Sequence, residues 1–269
     1  MNKGDILKEF YAGLAVVIRN FDLVKRYWKW EIVFFAYTIA NTVTMGFVGK
    51  SMGGGNRTIL YMIIGATMWS YLSVLFEVLA ETVAWERWEG TIEYTFMSPM
   101  KRITHLLGTC GFAIVYGMLR TFLLFIIVAP LFGINLGSMN VSATLMVLAI
   151  ASISFTGFGM MGAVLPLISP EKGVQVVHIF QAFILMISGV YYSVNVMPKW
   201  METLSYFSPA TYALEAMRKT VLNGEGIWSI MDKLAPMALM GMLFLPLGLF
   251  IFKWGERFSK RKGFLKRNG

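Results

Sequence analysis

The sequence predicts an all-α integral membrane protein. Three observations predict it. Of 269 residues, 57% are hydrophobic and only 14% charged, with a mean hydropathy of +0.62. Soluble domains carry about 25% charged residues, so too little polar surface remains to coat a water-soluble globule of this length. Six windows of mostly apolar residues reach or approach the roughly 18–20 residues needed to cross hydrocarbon: 32–48, 59–79, 106–132, 141–168, 174–196 and 235–252. Lys and Arg fall mainly on one side of the resulting topology.

With both termini cytoplasmic, seventeen bases lie inside and six outside, and Arg120 lies within the third span. The inverted topology translocates the basic tail that follows Phe252, which the positive-inside rule disfavours. The net charge of +9 therefore reads as a topology signal. The bases flank spans instead of forming one patch, so no nucleic-acid partner is expected. Cys110, the single cysteine, lies in a span and provides no disulfide framework.

Each element follows in order. Residues 1–29 are predicted to form an interfacial helix. At 100° per residue Ile6, Leu7, Phe10, Leu14, Val17, Ile18, Phe21 and Val24 share an arc of about 120°, the pattern of a helix lying on a membrane face. Trp28 and Trp30, with Lys25, Arg26 and Lys29, anchor entry to the first span. Gly53, Gly54 and Gly55 form a flexible outer turn. The third and fourth spans exceed what a bilayer needs, and Pro130 and Pro166 mark where each bends or stops.

Residues 81–102 form a charged amphipathic island between two apolar runs. Glu77, Glu81, Trp85 and Trp88 continue the second span on neighbouring turns, and Glu86, Arg87 and Glu89 give a mixed-charge face. Gly90 is placed to break the helix. Thr91 is placed to cap a new one, although the third residue after it is Tyr94 and the capping box is incomplete. Residues 197–233 form an outer stretch that is only half polar. Glu202, Glu215, Arg218 and Lys219 make a seventh span costly, so two short helices divided by Pro209 and dipping part-way into the outer leaflet are expected.

Three short matches to catalytic motifs fail on context. Gly49-Lys50-Ser51 ends like a phosphate loop, but Thr44 stands where the full pattern needs Gly, and a span precedes it in place of a strand. Gly49-Lys50-Ser51-Met52-Gly53 fits a nucleophile elbow, but the two histidines, His105 and His178, are expected at the opposite side of the membrane. Gly157-Phe158-Gly159-Met160-Met161-Gly162 fits a dinucleotide fingerprint but lies inside a span, where small residues let helices approach. Two distant histidines and one cysteine supply no zinc site at standard spacings. No enzyme active site is expected, and any ATP is hydrolysed by another subunit.

Two segments carry a resemblance. Glu86-Arg87-Trp88-Glu89-Gly90-Thr91-Ile92-Glu93, followed by Ser98-Pro99, resembles the E-R-x-x-G-T-x-E…(S/T)-P segment of permeases of the ABC type-2 exporter family. Pro198, Trp200, Ser205, Ser208-Pro209, Tyr212, Arg218 and Gly224 are similar to that family's P-x-W…S…N-P…Y…R…G pattern, with Ser208 where Asn is usual. The resemblance implies a cytoplasmic coupling helix in which Glu86, Arg87, Glu89, Gly90 and Thr91 dock on a cytosolic ATPase subunit. It implies an external gate containing Pro198, Trp200, Pro209 and Tyr212. It implies a second permease copy, identical or related, and a plasma membrane, prokaryotic by expectation. ATP and Mg are expected on the ATPase subunit, with no cofactor in this chain.

The expected cargo is an amphiphilic small molecule or lipid moved outward, because the pathway offers apolar and aromatic surface with few charges. Export of polysaccharide or lipid-linked glycan is the alternative within the same architecture. An ion-coupled transporter without ATPase is the alternative from another class, with Glu77 and Arg120 its intramembrane candidates. Arg120 is read either as an ion pair, with Glu77 as the candidate partner, or as a pathway residue.

Overall fold

In the computed structural model, residues 3–134 and 136–264 are described. Residues 1–2, Asn135 and residues 265–269 of the basic tail lie outside them. The described chain is helical with no strand. Eleven α-helices run in the order α1 (Lys3–Arg26), α2 (Trp28–Ser51), α3 (Gly55–Trp88), α4 (Ile92–Met97), α5 (Arg102–Leu131), α6 (Val141–Gly162), α7 (Val164–Ile168), α8 (Pro170–Ile187), α9 (Lys199–Ser205), α10 (Pro209–Leu222) and α11 (Met231–Lys262).

Five segments are long and apolar enough to cross a membrane: Trp28–Ser51, Gly55–Trp88, Arg102–Leu131, Val141–Ile168 and Ile227–Lys262. The predicted span over 174–196 is not among them. Its helix, α8, ends at Ile187, where the Ser188 hydroxyl turns back to the Ile184 carbonyl at 2.6 Å and Gly189 takes φ +68°. Polar Glu171, Lys172, Gln175, His178 and Gln181 dilute its hydropathy. It nevertheless runs antiparallel beside α3. Gln181 donates to the Ser73 carbonyl at 3.4 Å within the helix, and a Cβ on Gly65 would meet the Val190 carbonyl at 2.2 Å just past its C-terminal end.

Helix α3 is the centre of the fold. Ile63, Ile64, Met68, Tyr71, Leu72, Leu75, Leu79 and Ala80 are all buried, on every side of the helix. A helix apolar all round is one that neighbours surround. Tyr71 donates its hydroxyl to the Leu148 carbonyl of α6 at 3.2 Å and meets the Ser152 hydroxyl, so its polar tip is satisfied inside the core.

The glycine fingerprint at 157–162 is a packing surface. A Cβ on Gly157 would sit 2.5 Å from the Phe244 carbonyl of α11, and one on Gly248 would sit 2.5 Å from the Gly157 carbonyl. Two backbones therefore touch, as small residues permit between membrane helices. Pro166 lacks the N–H that would bond Gly162, and the fourth predicted span is interrupted at Ala163 between α6 and α7. Pro130 does not stop its helix early, because it lies two residues from the C-cap at Phe132.

Candidate functional site

The charged island folds into an elbow. Helix α3 runs on to Trp88, two residues before Gly90, whose φ of +72° reverses the chain. Helix α4 then lies between Thr91 and Ser98, and Pro99 precedes α5. Thr91 occupies the N-cap position of α4 without a side-chain cap; its hydroxyl reaches the Glu86 carbonyl at 3.4 Å.

The five residues expected to form a docking face divide into two groups. Glu86 is buried, its side chain 4% exposed. Its carboxylate lies 3.1 Å from His105 Nε2, 3.6 Å from Arg102 Nη2 and 3.7 Å from Arg19 Nη1. It therefore joins the end of α3 to α1 and to the start of α5. Arg87 also faces protein. Its Nη1 donates to the Leu167 carbonyl at 2.8 Å and the Pro166 carbonyl at 3.2 Å, and its Nη2 donates to the Phe264 carbonyl. These are carbonyls at the ends of α7 and α11, where a helix presents partial negative charge. Glu86 does not project into solvent as the mixed-charge reading expected, because cations of α1 and α5 enclose it, and the half-buried Arg87 turns its donors to helix-end carbonyls that the linear sequence does not bring near. Glu89 is exposed, and Gly90 and Thr91 are half-buried. Beside them Trp85, Trp88, Tyr94 and Met97 are exposed, with the two indoles 5.6 Å apart, edge to face.

A cleft of about 920 Å³ opens between α1 and the elbow. Asp5, Lys8, Glu9 and Arg19 line it from α1, and Thr91, Tyr94, Thr95, Ser98 and Lys101 line it from the elbow. Glu9 crosses its floor, accepting from the Thr104 hydroxyl and pairing with Lys101 at 3.9 Å.

The predicted gate residues lie at the opposite end of α3. Pro198 and Trp200 are exposed at the start of α9; Pro209 is buried at the first position of α10; Tyr212 is half-buried and donates to the Tyr206 carbonyl at 3.1 Å. Arg218 of α10 holds this end together, whereas in the sequence it counts only as a charge against a seventh span and as part of a family pattern. Its guanidinium lies 3.6 Å from the Tyr61 ring centroid and donates to the Val190 and Gly189 carbonyls at 2.6 and 3.1 Å. Its placement one turn from Glu215 gave no hint of a stacked partner 157 positions earlier.

Arg120 and Glu77 do not pair with each other. Arg120 donates to the Tyr116 hydroxyl at 3.0 Å and the Thr38 hydroxyl at 3.2 Å, and Tyr116 in turn donates to Glu31. The guanidinium also lies over the Phe35 and Tyr116 rings. The carboxylate serving Arg120 is thus Glu31, on α2, through Tyr116. Glu77 instead lies 3.7 Å from His178 of α8. The signal available in sequence was the i, i+4 placement of Tyr116 and Arg120; the α2 partners carried none.

The family model described as ABC-2 type transporter matches residues 12–222. The linearmycin resistance permease protein LnrN of Bacillus subtilis (strain 168) is 28% identical over 101 residues, which is 38% of this chain. The match spans only 26% of that relative's length.

Proposed function

The chain belongs to the ABC-2 type transporter family, and from that membership we propose that it is the membrane-embedded half of an ATP-driven exporter. A separate cytosolic subunit binds ATP and Mg and hydrolyses the nucleotide. The observation that carries the reading is the elbow, with its exposed Trp85, Trp88, Glu89, Tyr94 and Met97 beside the 920 Å³ cleft. A soluble partner can grip that surface, and Glu86 and Arg87 behind it connect the grip to four other helices.

Parity supports six crossings. The start of the chain meets the elbow through Arg19 and Glu86, and its end meets it through Phe264 and Arg87. Both ends on one face require an even number of crossings, which supports α8 as the sixth beside the five longer spans. The positive-inside bias supports the elbow face as cytoplasmic, in a prokaryotic plasma membrane. Helices α9 and α10 then close the outer mouth.

A second permease copy is supported by the α3–α8 face. Glu77 and His178 have side chains 32% and 43% exposed, and Glu81 is exposed one turn on. Lipid does not favour such groups, whereas a partner protomer or a water-lined route between two protomers accommodates them. The cargo we assign is an amphiphilic small molecule or lipid, moved outward. The name of the linearmycin-resistance relative agrees with a drug-like cargo.

Co-purification of the full chain with an ATP-hydrolysing subunit tests the docking. Glu89→Arg combined with Tyr94→Ala is expected to cut recovery of that subunit at least fivefold. Unchanged recovery, or full transport in vesicles lacking any nucleotide hydrolysis, overturns the reading.

A further inference from the structure

We propose that the elbow-side end of α11 binds the phosphate of anionic phospholipid headgroups, and that the Arg87 clasp passes this binding to the elbow. Lys253, Arg257 and Arg261 stand at i, i+4 and i+8, so they form a row within about 80° of the helix, with steps of about 6 Å. All three are exposed, while Phe252, Gly255 and Ser259 pack inward on the opposite side. Among the described residues none of the three pairs with a carboxylate; the nearby Glu256 is held by Lys260 at 2.7 Å.

The depth of the row favours lipid over a soluble acidic partner. It continues the exposed apolar face of Leu243, Leu247 and Phe250. Trp254, 59% exposed and stacked on Phe258 at 5.6 Å, sits beside its first base. An indole next to bases at the end of an apolar helix is the pattern of the headgroup layer. The negative end of the helix dipole opposes an anion there, but it amounts to about half a charge against three full positive ones.

The clasp lies one turn further. Gly263 takes φ +71°, so the chain folds back and the Phe264 N–H bonds the Ser259 carbonyl at 3.1 Å. This aims the Phe264 carbonyl at Arg87 Nη2, whose other nitrogen holds Leu167. A headgroup that orders the end of α11 therefore orders Arg87 at the root of the elbow. Only this second half rests on the elbow being the moving part; lipid binding stands or falls apart from it.

The test uses the purified full chain in detergent, offered equal phosphatidylglycerol and phosphatidylcholine, with retained lipid read by native mass spectrometry. Phosphatidylglycerol is expected to be enriched about tenfold or more and to lose that preference in the triple variant Lys253→Gln, Arg257→Gln, Arg261→Gln. Lys260→Gln, whose base is already neutralised, is expected to keep it. An unchanged preference in the triple variant overturns the site. Displacement of the lipid by millimolar inorganic phosphate overturns the choice of a lipid source, and loss of ATPase-subunit recovery with no lipid preference assigns the row to a protein partner instead. For the clasp, phosphatidylglycerol is expected to slow hydrogen exchange over residues 89–98 in the parent chain but not in Arg87→Gln. Gly263→Val, which misdirects the Phe264 carbonyl without filling any contact, is the second variant should Arg87→Gln unfold. Exchange that ignores bound lipid in the parent chain overturns the coupling.

Discussion

Glu86 and Glu89 are separated by one turn of α3, yet they do different work. Glu86 is enclosed by Arg19, Arg102 and His105, and removing it leaves cations facing one another with no carboxylate between them. Glu86→Ala is expected to destabilise the chain by about 3 kcal/mol, the lower end for breaking a buried ion pair because Arg19 remains half in solvent. Glu89→Ala is expected to stay within about 0.5 kcal/mol, as exposed substitutions do. Thermal unfolding in detergent distinguishes the two. Glu225, in the turn between α10 and α11, is a different case. Hydrogen bonds from the Ser229 hydroxyl and the Asn223 amide hold its carboxyl below the ordinary glutamate value. A lowered folded value means the contribution is present above the unfolded pKa and is lost as pH falls through the folded one. The protection of amides over residues 223–230, relative to their intrinsic exchange rates at each pH, is therefore expected to fall on acidification below the ordinary glutamate range, and Glu225→Gln is expected to abolish that dependence.

Among elements, α6 and α11 meet backbone to backbone, because glycine removes the side chains that would hold them apart. Gly157→Leu is expected to wedge the pair open, costing roughly 1–3 kcal/mol or more and lowering the yield of monodisperse protein. Gly111→Ala, on α5, is the control: its nearest neighbour would be a Val17 methyl at 3.5 Å, ordinary van der Waals contact. Equal yields from both variants contradict the close approach. At this scale the sequence was legible where periodicity and breakers speak. The turn at Gly90, the interruption near Pro166 and the break before Pro209 were all readable from local chemistry. The length of α8 was not, because the hydropathy of 174–196 runs on past Ile187, and only the turn at Gly189 ends the helix.

For the whole molecule, topology is the property to measure. Cys110 is buried, so a background thiol signal is expected to be weak in intact membranes. Cysteine introduced at Gly53 is expected to react with an impermeant maleimide from outside, and cysteine introduced at Glu89 only after permeabilisation. Labelling of both from the same side contradicts the crossing by α3.

The sequence by itself determined the class, the α-helical build, most of the spans and the family, since each rests on composition, on periodicity or on short motifs that neighbouring residues carry together. Tertiary structure alone decided which charges of the island face inward, that Arg120 is served by Glu31 through Tyr116, and that Arg218 stacks on Tyr61. The physical reason is the same in each case: a charge in a membrane protein is satisfied by whatever ring, hydroxyl, carbonyl or opposite charge packing brings close, and at least one such partner of each lies far away along the chain.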